Sequence, residues 1–102
     1  VYAFIGPLLP GVSDTEENLS GLLKEIKEAG VSYFYIDRLN LRFGVWPAVR
    51  TLFEKHYPHL SDGCRKVLFN ARDREAYTRQ LVSMVRKIAR KQGIEDRMML
   101  CF

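Results

Sequence analysis

Cysteine is scarce in this 102-residue chain: Cys64 and Cys101 stand far apart, without the spacing of a disulfide framework. Nothing therefore argues for an oxidising compartment, and the cytoplasm is the default. No apolar run approaches the length of a membrane span, so no membrane partner is expected. Secretory-leader patterning is also missing. The chain opens on Val1 in place of methionine, which reads as a cut inside a longer protein. Internal repeats and low-complexity linkers are absent, and the length falls far short of an eight-stranded α/β barrel. What is there, 47% hydrophobic and 27% charged residues, is the composition of one ordinary globular unit.

The net charge of +4 is unevenly spread: residues 61–102 hold ten Lys/Arg against five Asp/Glu, and residues 1–60 hold six against seven. The basic excess thus belongs to the C-terminal part, where Arg72, Arg74, Arg79, Arg86, Lys87, Arg90 and Lys91 would suit nucleic-acid phosphates. These charges are spread around several helix faces with scant aromatic interleaving. A solvated face is the preferred reading, and nucleic acid is a candidate partner that is not favoured.

"VYAFIGPLL" is apolar without alternation, the pattern of a parallel strand covered on both faces. Pro10-Gly11 stops it. Ser13 with Glu16 three places on reads as a capping box opening a helix from about Thr15, with Asp14 and Glu17 adding charge that suits the helix dipole. Leu19, Leu22, Leu23 and Ile26 form its apolar stripe and Gly30 its stop. "VSYFYIDRL", β-branched and aromatic, predicts a second strand, and the intervening helix makes the two strands parallel. A helix beginning near Trp46-Pro47 follows, with Val49, Leu52, Phe53 and His56 on its buried stripe and Pro58 ending it. "SDGCRKVLF" reads as a short helix. A longer one capped by Asp73 carries Tyr77, Leu81, Met84, Val85 and Ile88 on one face, and "RMMLCF" reads as a last strand.

Two places offer chemistry. The first strand-to-helix junction, Pro10 to Asp14, presents backbone N–H groups to an anion or a polar ligand edge, the plain alternative being a well-capped helix start. Asp37, Arg38, Asn40 and Arg42 gather where a parallel strand leaves the sheet, the usual ligand crevice of open α/β sheets, the alternative being a local ion pair or loop brace. Asp37 and Arg38 point to opposite faces if the strand is regular there. His56, His59, Cys64 and Cys101 match no standard zinc spacing, and His56 reads as a packed core histidine. No metal ligand, catalytic triad or nucleophile-base pair can be assembled from the sequence.

"FIGPLLPGVSDTEENLSGLLKEIKEAGVSYFYIDRLNLRFGVW", with "HYP" after it, resembles the later barrel strands of radical S-adenosylmethionine proteins, especially the spore photoproduct lyase-like, "DNA repair photolyase" group. The resemblance covers about residues 1–60. It implies a partial (β/α) barrel in which a CxxxCxxC loop binds a 4Fe-4S cluster through three thiolates. The cluster chelates S-adenosylmethionine, which is cleaved to a 5'-deoxyadenosyl radical. This sequence has no such triad, so the cluster loop is expected upstream of Val1. By the same resemblance Leu9, Pro10, Gly11, Asn40 and Leu41 contact the adenosyl part of the cofactor, while Asp37, Arg38 and Arg42 face substrate.

The expectation is therefore an α/β chain. Residues 1–60 form late barrel βαβα units, and residues 61–102 form a helical extension with a final strand. The chain is read as the C-terminal portion of a radical S-adenosylmethionine enzyme, inactive alone, with no cofactor bound to it in isolation. Its partner is the rest of the barrel, or a second copy covering the exposed sheet. The alternative is a small non-catalytic binding or assembly module, using its basic helix for nucleic acid or a partner protein.

Overall fold

The computed structural model describes residues 1–39 and 44–100. Strand β1 (Tyr2–Leu8) leads through helix α1 (Glu16–Ala29) to β2 (Tyr33–Arg38). Helices α2 (Val45–His56), α3 (Pro58–Phe69) and α4 (Ala71–Gln92) follow, and a 3-10 turn at Glu95–Arg97 delivers β3 (Met98–Leu100). The sheet has the order β1-β2-β3 with both pairings parallel, so the chain is α/β as the pattern predicts.

Alternation along the strands divides the sheet into two unlike faces. Ile5, Phe34 and Ile36, with Ala3 and Met98 beside them, point at α1 and α4. There they meet Leu19, Leu23 and Ile26 of α1 and Leu81, Val85, Ile88 and Ala89 of α4. Both stripes recur at helical spacing, which is why these two helices lie side by side on one face. The opposite face carries Tyr2, Phe4, Tyr33, Tyr35 and Met99. Tyr2 is 64% exposed, Phe4 55%, Tyr33 50% and Met99 42%. The rings of Tyr2 and Tyr35 meet edge to face at 5.4 Å, and no helix among the described residues covers them. The apolar run of β1 therefore corrects the expectation of a strand buried on both sides: it is an edge strand with one bare face.

A second core lies beyond the carboxyl ends of the strands, where Leu39, Val49, Phe53, Cys64 and Leu68 pack with Leu9, Val12, Trp46 and Leu60. The buried line of α2 runs from Val49 to Phe53, and just past the helix Tyr57 brings its ring to 5.9 Å from that of Phe53. Leu52 and His56 face solvent, so the packed histidine is not found. Pro58 opens α3 at its first turn, making that helix twelve residues long.

Two caps also differ from expectation. Thr15 caps α1 by accepting from the Asn18 amide, and Ser13 instead accepts from Leu9 N at 2.7 Å. Asn70 caps α4 by accepting from the Asp73 amide, so Asp73 stands in the first turn. Among the described residues no helix is long and apolar enough to cross a membrane.

Phe34 is fully buried at the centre of the sheet against both helices. Replacing it with alanine is expected to cost about 3–5 kcal/mol, a large share of a small domain's stability. Leu52→Ala, on the exposed side of α2, should stay within about 0.5 kcal/mol of the parent. Urea unfolding followed by circular dichroism measures both.

Candidate functional site

Parallel α/β sheets bind ligands outside the carboxyl ends of their strands, and both candidate groups lie at that end. The first is the loop leaving β1. Leu9 is half-buried, Pro10 buried and Gly11 exposed. The Leu9 carbonyl accepts from both Val12 N (3.0 Å) and Ser13 N (3.1 Å), and Leu9 N donates to Ser13 Oγ. Gly11 N donates to Asp14 Oδ1 at 2.8 Å. Four amides that would greet an anion are thus spent inside the loop, and the Asp14 carboxylate adds negative charge beside them. The loop is a self-satisfied turn, not an anion cradle.

Gly11 has φ +77°, and a Cβ there would come 3.1 Å from the Leu60 side chain. Leu60 of α3 therefore occupies the space in front of this residue. What Leu9 and Pro10 offer a ligand is apolar contact; the backbone donors of Leu9 and Gly11 are already used.

The loop is held from the far side of the molecule. Tyr77 of α4 donates its hydroxyl to Asp14 Oδ2 at 2.7 Å, joining residues 63 apart. Burial, with the Asp14 carboxylate as its acceptor, pushes the Tyr77 hydroxyl far above the usual tyrosine range, so it remains a donor at any physiological pH. Tyr77 was legible as a member of the α4 stripe, but the partner of its hydroxyl was not.

The second candidate group lies at the end of β2. Register slips between Ile5 and Leu8 of β1, where Gly6-Pro7 bulges opposite Asp37. Gly6 has φ +151°, and a Cβ on it would come within 2.7 Å of Asp37 Cβ, so the two backbones approach as only glycine allows. Since β2 stays regular through Arg38, Asp37 follows Tyr33 and Tyr35 onto the open face, whereas Arg38 follows Phe34 and Ile36 toward the helices. Arg38 lines a cleft with Arg74, Glu75, Thr78 and Arg79 of α4. The substrate-side candidates Asp37 and Arg38 are thus directed to two different faces. Asn40, Leu41 and Arg42 lie outside the described residues.

The tempting His56, His59 and Cys64 set does not assemble. Both histidines are exposed, Cys64 is buried in the second core, and burial pushes its thiol up to about 11. Among the described residues no group of three His, Cys, Asp or Glu side chains could hold a metal ion. On α4, Arg90 makes two bonds to Glu95 (2.9 and 3.1 Å) and Lys87 lies 3.9 Å from Glu16 of α1. Arg74 donates to the Leu68 carbonyl. These pairings fit a solvated face and helix-end contacts.

Compared with protein-family models, curated proteins and solved structures, the chain matches none. Tyr77→Phe removes the only long-range bond to Asp14 among those described and leaves that carboxylate half satisfied. It should cost about 1–2 kcal/mol and speed hydrogen exchange of the Gly11 amide, with exchange in the β2 core slowed or sped only in step with global stability. Native-state exchange read by NMR checks this.

Proposed function

We propose that the chain is a wall segment of a radical S-adenosylmethionine type barrel, a structural part of that enzyme. The observation that supports this is the winding of the sheet. Strands in sequence order β1-β2-β3, all parallel, with α1 and α4 packed together on one side, form a singly wound sheet. Crossovers of one hand that always advance in the same direction put every helix on the same face, and a barrel is what such a sheet closes into. A doubly wound sheet would instead reverse direction and cover both faces.

In this reading the bare face of Tyr2, Phe4, Tyr33, Tyr35 and Met99 lines the barrel interior, where side chains of neighbouring strands would cover it. Asp37, next along that face, stands at the mouth on the substrate side. Arg38 belongs to the outer, helix-facing side. Leu9 and Pro10 supply apolar contact for the adenosyl group, consistent with a loop whose donors are already used.

The residues present do not fit the cluster. Two cysteines cannot supply three thiolates, and Cys64 is buried as a thiol. No step is therefore assigned through the iron-sulfur centre or S-adenosylmethionine on this chain's own residues.

The test is the complete coding frame around this segment, expressed and reconstituted anaerobically with iron and sulfide. Expected are a CxxxCxxC motif within roughly one domain's length, about 150 residues, and reductive cleavage of S-adenosylmethionine to methionine and 5'-deoxyadenosine. A frame without the motif, or a reconstituted protein that leaves S-adenosylmethionine intact, overturns the proposal.

A further inference from the structure

We infer that the groove between α2 and α3 is a docking surface for a second copy of this chain, laid antiparallel about a two-fold axis. The two helices pack on the second core, beyond the sheet, so this surface does not depend on the barrel reading. Trp46, Arg50 and Glu54 of α2 line the groove with Asp62 and Arg65 of α3, and Pro58 closes it at the turn.

Helical spacing sorts these side chains into layers. Residues four apart share a helix face and rise about 6 Å, so Trp46, Arg50 and Glu54 climb α2 in equal steps. The edge-to-face contact of Trp46 with Phe69, ring centres 5.5 Å apart, sets the register of the antiparallel helix pair. Arg50 then stands level with Arg65, and Glu54 beside Asp62. From its open end the groove therefore reads aromatic, cationic, acidic, proline, an order that complements its own reverse. With a two-fold axis crossing the groove between the cationic and acidic layers, Arg50 meets Glu54 of the second copy and Arg65 meets Asp62 of the second copy. The Trp46–Phe69 pair then meets the second copy's Pro58.

Within one chain the charges are paired along their own helices. Arg50 Nε lies 2.9 Å from Glu54, Arg65 Nη2 2.8 Å from Asp62, and Lys66 Nζ, on the outer shoulder, 3.4 Å from the same aspartate. All five side chains are more than half exposed, where such pairs contribute little. Docking leaves them in place and gives each arginine a second carboxylate across the axis. Phe69 is 51% exposed beside Trp46, and aromatic anchors flanked by arginine are the make-up of interface centres. Two twelve-residue helices present a face of about 18 by 20 Å, at the small end for specific contacts, so the dimer is expected in the micromolar range.

The experiment sediments the protein expressed from its complete coding frame over a concentration series, beside two charge-reversed variants. One carries Arg50→Glu with Arg65→Glu, the other Glu54→Arg with Asp62→Arg. All four sites are exposed, so both variants should keep the fold, checked by circular dichroism. The parent is expected to pass from monomer to dimer in the micromolar range, and added salt should move that transition to higher concentration. Each variant alone should self-associate at least about tenfold more weakly, because like charge then faces like across the axis. An equimolar mixture of the two should restore the dimer, as a heterodimer. A parent that stays monomeric up to about 1 mM, variants that dimerise as the parent does, or a mixture no tighter than its components overturns the inference.

Discussion

The burial of one face of β2 is the constraint on which the rest of this molecule depends. Phe34 and Ile36 are fully enclosed by α1 and α4, and β2 is the only strand of the described sheet with a neighbour on each side. Because side chains alternate along a strand, sealing Phe34 and Ile36 commits Tyr33, Tyr35 and Asp37 to the other face and Arg38 to the helix side. The bare aromatic face and the arginine cleft follow from that single commitment. The two are consequences of one register, which a slip of one residue would exchange.

The elements were legible because their signals are local. The stripe Leu19, Leu23, Ile26 and the stripe Leu81, Val85, Ile88 are periodic in the sequence and buried in the fold. The caps were less so, for a physical reason. Ser13 and Thr15 are both able to cap α1, and the turn around the Leu9 carbonyl claims Ser13, leaving Thr15 for the helix. On α4, Asn70 and Asp73 stand three apart and form the two ends of one cap, with Asn70 as the acceptor and Asp73 as the donor through its amide, a division that residue type alone does not decide. His56 falls on the solvent side because the buried line of α2 steps from Val49 to Phe53, and the contact is continued past the helix end by Tyr57, whose ring meets Phe53.

The candidate site was legible only in part. Polar residues at the end of β2 mark the crevice, but their division between two faces depends on where the strand stops being regular. The bond from Tyr77 to Asp14 and the contact of Leu60 with Gly11 join distant segments, and no local pattern announces either. Gly11 illustrates the difference: a glycine in a strand-to-helix loop invites a ligand reading, whereas here it makes room for a leucine. Arg74 and Arg79 were visible as members of a basic stretch. Only the fold sets them beside Arg38.

In the proposed barrel, the sheet face bearing Phe4 and Tyr33 would be an interior surface. Chemical labelling tests it most directly: Phe4→Cys is introduced both into this 102-residue chain and into the protein as the cell makes it, and the rate of alkylation at that position is followed by peptide mapping. The account predicts rapid labelling in the isolated chain, where Phe4 is 55% exposed, and protection by a factor of at least ten in the cellular protein. Equal, rapid labelling in both would contradict it.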